Sequence, residues 1–152
     1  MFKKILVPID GSDSSNLAFS TALELAKLSN SEIILLNVTF TPQAYWGNNL
    51  AYSVSISEEE LNQLGNKIIN ETIQNSDLSN ITVTPKVLSG NAAITILKEA
   101  LLEKVDLIIM GSHGQGPIVG AVLGSVSQKV LQKSRCPVMI TKMVGNDFEL
   151  TV

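Results

Sequence analysis

The sequence has a single cysteine and no cluster of basic residues. One cysteine, Cys136, excludes an internal disulfide and a metal site built from several cysteines, which is typical of a protein in a reducing compartment. The formal net charge is -3 at pH 7. Because lysine and arginine form no block, the chain offers no basic face to nucleic acid. We therefore expect a cytoplasmic protein whose ligand is a small molecule.

Long apolar runs are also missing. Lys3 and Lys4 precede apolar residues, as at the start of a signal peptide, but Pro8 and Asp10 end that run well short of the required length. No other run is long enough to cross a membrane, so we expect no membrane association. The 152 residues suit one domain that buries about two thirds of the surface of its unfolded chain.

Short apolar runs are present, and they are of two kinds. Residues 5–9, 33–36 and 107–110 are continuously apolar, which is typical of parallel strands buried on both faces. Residues 81–87 alternate apolar with polar side chains and contain a proline, and residues 137–140 are short and begin with one. Because proline removes a donor from the strand ladder, these last two runs predict edge strands.

Helical periodicity fills the intervals between these runs, near residues 13–29, from residue 57 onward, and near 91–103 and 125–134. Ser12 or Asp13 is the expected cap of the first helix, and Ser57 with Glu60 fits a capping box. The residues predicted to face the core are Leu17, Ala18, Ala22, Leu25, Leu28, Leu61, Leu64, Ile68, Ile94, Leu97, Leu101, Val126, Val130 and Leu131.

This alternation of strands and helices predicts a doubly wound α/β domain, with five parallel strands between two layers of helices. The strand order 3-2-1-4-5 places both edge-like runs at the edges of the sheet. It also makes the gap between strands 1 and 4 the point where the winding reverses, and ligands of open α/β sheets bind at that point, outside the carboxyl ends of the strands.

A glycine-rich segment, residues 110–125, follows the fourth strand and carries five of the ten glycines in the chain. The spacing is Gly111-x-x-Gly114, nine residues, then Gly124-Ser125. Glycines let a ligand approach the main chain, and the amide groups at the start of the next helix attract anions. No lysine or arginine lies between residues 110 and 128, so a bound phosphate must be neutralised by backbone amides, the helix end and a metal ion.

Four short segments carry a family resemblance: residues 7–12 after the first strand, 106–114 at the fourth, 124–127 at the start of the last helix, and 136–138 at the last strand. On these segments the chain resembles the universal stress protein family, specifically its ATP-binding branch. The resemblance covers about residues 3–142, so we expect the nucleotide-binding domain at residues 1–142. The tail, residues 143–152, lies beyond the resemblance and has no assignment.

The resemblance implies a flavodoxin-like, Rossmann-like fold, a homodimer, and ATP bound with a divalent cation, Mg or Mn. The fourteen positions expected to form the site are Pro8, Ile9, Asp10, Val38, Met110, Gly111, Ser112, His113, Gly114, Gly116, Gly124, Ser125, Val126 and Ser127.

The polar and apolar residues of this expected site have different roles. Asp10 is suited to bind ribose hydroxyls or a divalent ion, with a helix cap as the alternative. Val38 resembles the family position whose main chain meets the adenine edge. Ser125 and Ser127 offer hydroxyl donors or metal ligands. His113, the only histidine, either touches phosphate or makes a hydrogen bond within the loop.

Glycines 111 and 114 are expected to keep side chains out of the path of the α-phosphate, and Gly124 to allow the turn into the last helix. Residues 40–56 form an unusually long connection that holds Tyr45, Trp46 and Tyr52. This connection is expected to act as a lid or a partner contact, or to fold back on the sheet.

Three classes of function are compatible with these features to different degrees. An ATP-binding regulatory or stress-response protein with at most slow hydrolysis fits best, because the loop holds no evident general base. An ATP-dependent synthetase or kinase on the same fold is the alternative, although residues 10–14 do not form the loop that a synthetase needs. A receiver domain or a flavin carrier is disfavoured. We further expect a homodimer joined through the last strand, at Val138, Met139 and Ile140, whose apolar edge invites pairing.

Overall fold

The parallel sheet and its covering helices are seen in a computed structural model that describes residues 1–40, 56–113 and 123–143. The elements in chain order are β1 (Lys4–Pro8), α1 (Asp13–Ser29), β2 (Glu32–Thr39), α2 (Glu58–Gln74), β3 (Val83–Ser89), α3 (Ala92–Leu102), β4 (Leu107–Gly111), α4 (Ser125–Lys133) and β5 (Val138–Thr141). The predicted positions at Gly114 and Gly116, the aromatic residues Tyr45, Trp46 and Tyr52, and the tail after Met143 lie outside the described residues.

All strand pairs in the sheet are parallel, and their order is β3-β2-β1-β4-β5. Ile5 in the central strand pairs with Ile33 on one side and with Leu107 on the other. The two proline-containing runs form the edge strands. The predicted fold class, strand order and edges are therefore confirmed, and the point of reversal lies between β1 and β4.

Successive residues of β1 enter two different cores, because neighbouring side chains in a strand point to opposite faces. Ile5 and Val7 pack with α1 and α2, whereas Leu6 packs with α3 and α4. All three side chains are completely buried. The sheet is thus covered on both faces, as the continuous apolar runs predict.

The helices begin where short polar side chains cap them. The Ser12 hydroxyl accepts a hydrogen bond from the Ser15 amide at 3.2 Å, so Ser12 rather than Asp13 caps α1. Ser57 and Glu60 form the predicted capping box at α2. Among the described residues, no helix is long and apolar enough to cross a membrane.

The predicted inner faces of the helices were partly wrong. Five residues expected in the core are exposed instead: Leu28, Leu64, Ile94, Leu101 and Leu131. In α1 the face against the sheet is centred on three alanines and on the large side chains beside them, and these residues are Ala18, Phe19, Ala22, Leu23 and Ala26. The small alanine side chains let α1 lie close to the sheet. Leu28 is outside this face and points to solvent.

Candidate functional site

A cleft of about 320 Å³ opens where the carboxyl ends of β1, β2 and β4 meet the amino ends of α3 and α4. Ten of its lining residues are predicted site positions: Pro8, Ile9, Asp10, Val38, Met110, Gly111, His113, Ser125, Val126 and Ser127. They come from four separate parts of the chain, and the reversal of winding between β1 and β4 brings them together.

Three further lining residues escaped the sequence analysis, namely Leu36, Ala92 and Ile96. Ala92 and Ile96 lie one turn apart on α3, whose cap is Asn91. The crossover from β3 places this face of α3 over the end of β2. The signal for them was available in the helical spacing of positions 92 and 96, but only the sheet order shows that this face meets the cleft.

Together with Val38, these residues give one half of the cleft, beside β2 and α3, an apolar wall. No lysine or arginine is among the described lining residues, and Asp10 is the one carboxylate among them. The other half of the cleft is formed by the first turn of α4 and the end of β4. The cleft therefore has an apolar wall suited to a flat ring and a polar end with little charge.

The first turn of α4 has no side-chain cap, because Gly124 stands at the cap position. A helix start carries backbone amides without a partner inside the helix and about half a positive charge. Ser125, Val126 and Ser127, the first three residues of α4, all line the cleft. This end of the cleft is therefore suited to an anion.

Ser127 holds the start of α4 against the end of β4. Its buried hydroxyl donates to the carbonyl of Gly111 at 2.8 Å and lies 3.3 Å from the carbonyl of Ser112. The Gly124 amide donates to the same Ser112 carbonyl at 2.8 Å. Because the hydroxyl proton of Ser127 is used within the protein, this residue positions the helix start and can meet a ligand only as a hydrogen-bond acceptor.

Gly111 lies at the cleft, but the structure gives a different reason for its glycine than the sequence analysis did. A Cβ at this position would lie 2.4 Å from Ser14 Oγ and 2.8 Å from both the carbonyl carbon and oxygen of Ser14. Ser14 is buried in the first turn of α1. Glycine at position 111 is therefore required by the close approach of α1 to β4.

Asp10 is held by the turn between β1 and α1. Its Oδ1 accepts a hydrogen bond from the Ser12 amide at 3.0 Å, and its own amide lies 3.4 Å from Ser15 Oγ. Gly11 allows this turn with a φ of 83°. Since Ser12 caps α1, the alternative that Asp10 is the helix cap is wrong, and its half-buried carboxylate lines the cleft.

The side chains of Ser112 and His113 contact each other. Ser112 is buried and is not a lining residue, but its hydroxyl lies 2.9 Å from His113 Nδ1. The Ser112 amide donates to the carbonyl of Thr141 in β5. Ser112 thus orients the His113 ring, which is half-buried at the cleft.

Metal-ligating side chains are sparse. Within residues 1–40, 56–113 and 123–143, no three side chains of the types His, Cys, Asp and Glu come together. Asp10, Ser125 and Ser127 supply oxygen atoms at the cleft, which is the donor type that Mg and Mn prefer. These residues suit an ion that brings most of its own ligands, as one bound to phosphate does.

Comparison with known proteins places this cleft in a family context. The family model described as "Universal stress protein family" matches residues 1–142. Universal stress protein YxiE of Bacillus subtilis is 34% identical over 148 residues, covering 93% of this chain and 100% of YxiE.

Two solved structures show the same fold. That of MJ0577, a universal stress protein of Methanocaldococcus jannaschii, has a TM-score of 0.73 at 31% identity and covers 96% of this chain and 99% of that chain. A universal stress protein family protein of Arabidopsis thaliana with AMP bound has a TM-score of 0.65 at 17% identity, covering 98% of this chain and 97% of that one. At this lower identity the likeness concerns the fold alone.

Proposed function

The chain belongs to the universal stress protein family, and from this premise we propose that its cleft binds an adenine nucleotide, with ATP as the ligand. The observation that carries the proposal is the uncapped start of α4 at one end of the cleft and the apolar wall at the other. A nucleotide has the same division between a charged phosphate chain and a flat, largely apolar base.

The cleft residues divide accordingly. The phosphates are assigned to the amides of the first turn of α4, where Ser125 adds a hydroxyl. The adenine ring is assigned to the wall formed by Val38, Ala92 and Ile96. Asp10 lies between these halves in the turn after β1. We assign it to the ribose hydroxyls, which donate hydrogen bonds that an ionised carboxylate accepts.

A divalent cation, Mg or Mn, is proposed to accompany the phosphates. It would neutralise phosphate charge that no lysine or arginine among the described lining residues can neutralise. Asp10, Ser125 and Ser127, through their side-chain oxygen atoms, are the residues suited to hold it. The Arabidopsis protein that shares this fold has AMP, an adenine nucleotide, bound.

The proposed output is regulatory rather than catalytic. Hydrogen bonds at His113 Nδ1 and Asp10 Oδ1 fix the orientation of both groups at the cleft, and the sequence of the glycine-rich segment offers no evident general base. We assign the protein a stress-response role in the cytoplasm, in which bound ATP changes its conformation and is hydrolysed slowly at most.

We also propose a homodimer through β5. Val138 and Ile140 are half-buried and Met139 is 39% exposed, on a strand whose outer edge ends the sheet. An exposed apolar edge invites uncontrolled pairing, and a two-fold contact with a second copy covers it. Light scattering tests the assembly, and Val138→Lys should shift it to monomer.

Calorimetric titration with ATP and magnesium tests the nucleotide proposal. Asp10→Ala should raise the dissociation constant about tenfold or more, because a charged hydrogen bond contributes about 1.5–3 kcal/mol. Asp13→Ala is the matched control, since Asp13 is an acidic residue of the first turn of α1 that does not line the cleft. Absence of binding by the wild type at millimolar ATP refutes the proposal.

A further inference from the structure

A second cavity, of about 250 Å³, lies between the carboxyl ends of α3 and α4, at the opposite ends of these helices from the nucleotide cleft. We call it the basic cavity. Its lining combines apolar with polar and charged residues, and these are Leu97, Ala100, Leu101, Lys104, Val105, Lys133, Ser134, Arg135 and Cys136.

The charged side chains that line the basic cavity are all positive. Lys104, Lys133 and Arg135 line the cavity, and none of the described lining residues is a carboxylate. Of the ion pairs within the described part of the chain, none involves these three cations. One of the apolar lining residues, Leu101, is 52% exposed. The cavity therefore suits a ligand that combines apolar side chains with negative charge.

The chain itself contains a segment of this composition. Residues 144–152 hold two carboxylates, Asp147 and Glu149, and no lysine or arginine. Apolar residues alternate with them at Phe148 and Leu150. This segment is therefore complementary to both the cationic and the apolar residues of the cavity lining.

The direction of β5 favours a second copy as the source of the segment. The basic cavity adjoins the amino end of β5, because Cys136 lines it two residues before Val138. The chain's own tail leaves the other end of the strand, roughly 17 Å away at about 3.3 Å per residue. In a two-fold contact the two β5 strands run antiparallel, which places the partner's tail beside the cavity.

We propose that the basic cavity binds residues 144–152 of a second copy of the chain. The acidic side chains of the tail meet Lys133 and Arg135, and its apolar side chains cover Leu101. This inference rests on the proposed homodimer through β5, and it is independent of what the nucleotide cleft binds.

Cys136 gives a direct readout, because it is the only cysteine and is half-buried in the cavity wall. Its rate of alkylation by iodoacetamide, a neutral reagent, measures access to the cavity. Wild-type protein should be protected at concentrations where light scattering shows a dimer. The protection should disappear on dilution to the monomer, because the covering segment comes from another copy.

Charge reversal tests the contact. Asp147→Lys with Glu149→Lys should speed alkylation roughly three- to tenfold, as expected for the loss of two exposed ion pairs. Lys133→Glu with Arg135→Glu should do the same when each rate is expressed relative to that of the same variant diluted to monomer, because a change of charge beside Cys136 alters the reactivity of the thiolate itself. The chain carrying all four changes should regain protection. Lys98→Glu with Lys129→Glu is the matched control, since both lysines are exposed and neither lines the cavity. Its alkylation rate should equal that of the wild type.

The contradicting outcomes are separable. A wild-type dimer in which none of the reversals changes the alkylation rate overturns the tail contact but leaves the homodimer standing. Protection that persists in the diluted monomer overturns the second copy as the source. A wild type that is monomeric at every concentration overturns both the homodimer and this inference.

Discussion

The two ends of the sheet are built with different chemistry. At the carboxyl end, backbone amides, hydroxyls and apolar side chains surround the cleft. At the other end, Lys4 at the start of β1 bridges Glu32 at 3.2 Å and Glu103 at 3.4 Å. Lys86, in the middle of β3 and paired in register with Leu36, extends this network by contacting Glu99 on α3 and Glu103 directly after α3. We call these five charged residues the charge network.

This difference indicates that the charge network contributes to stability and the cleft to ligand binding. In the charge network each charged group meets a partner of opposite sign, so the network joins β1, β2 and β3 to α3 and offers little to a ligand. At the cleft, the uncapped start of α4 leaves donors that folding itself does not use. Changes at the charge network should therefore alter stability alone, whereas changes at the cleft should alter binding.

The largest expected loss of stability is at Gly111. This residue is the exception to the separation of stability from binding, because it lines the cleft and also packs against α1. Gly111→Val should lower the free energy of unfolding by about 3 kcal/mol, because the added side chain overlaps the backbone of Ser14. Urea denaturation measures the loss.

Gly114→Val is the contrasting variant. Gly114 lies outside the described residues, and its expected role at the phosphates rests on the sequence spacing. This variant should keep wild-type stability and lose ATP binding, since a β-branched side chain would stand where phosphate approaches. Equal stability of the two valine variants would contradict the packing role of Gly111.

A smaller effect is expected at the charge network. Lys86→Met removes the cation that contacts Glu99, whose side chain is 9% exposed. Leaving that carboxylate without its partner should cost about 2 kcal/mol of unfolding free energy, and the affinity for ATP should stay unchanged. Lys67→Met, which removes an exposed i,i+4 pair with Glu71, is the control and should cost less than about 0.5 kcal/mol. A loss of ATP affinity in Lys86→Met would show that the two ends are coupled.

Ser127→Ala should have a smaller effect on stability, joined to an effect on binding. The carbonyl of Gly111 loses its buried donor, which costs about 1 kcal/mol. The start of α4 is then less firmly held, so ATP should bind severalfold more weakly. Urea denaturation and calorimetry measure the two effects, and Ser125→Ala, an exposed serine two residues earlier, should leave stability unchanged. Unaltered stability of Ser127→Ala would exclude the positioning role.

The smallest effect concerns pH. Hydrogen bonds from Lys86 and then Lys4 lower the pKa of Glu103 from the usual 4.5, so its stabilising contribution is present above pH 4.5 and is lost as pH falls through the lower folded value. Hydrogen bonds to Glu103 and Glu99 raise the pKa of Lys86 above 10.5. The stabilisation that charged Lys86 contributes is therefore lost only as pH rises beyond 10.5.

The melting temperature should therefore fall at both extremes of pH. Glu103→Gln should weaken the fall on the acid side without abolishing it, because backbone amides of Lys3 and Lys4 also lower the pKa of Asp106. Identical acid profiles for wild type and Glu103→Gln would remove Glu103 from this account.

The fold could be predicted because its signals are local. The apolar runs of β1, β2 and β4 mark buried strands, and the prolines at 85 and 137 mark edges. Ser12 and Ser57 mark helix starts within three residues of the groups they cap. Periodicity also finds the apolar stripe of a helix, but it does not show which flank of the stripe meets the sheet, and Leu28 and Ile94 were placed inside for that reason.

The site was only partly predictable because its remaining features depend on distant contacts. Ala92 and Ile96 reach the cleft through the crossover from β3, which no local pattern displays. The need for glycine at position 111 arises from Ser14, which is far from it in sequence. Motif spacing therefore drew attention to the residue but gave no sign of this packing requirement.

Hydrogen exchange with and without ATP tests most directly the claim that the carboxyl end of the sheet is the binding end. ATP should slow exchange of amides in residues 9–12, 110–113 and 123–128, and should leave residues 99–106 beside the charge network unchanged. Slowed exchange confined to residues 99–106, or no change anywhere at saturating ATP, would contradict the account.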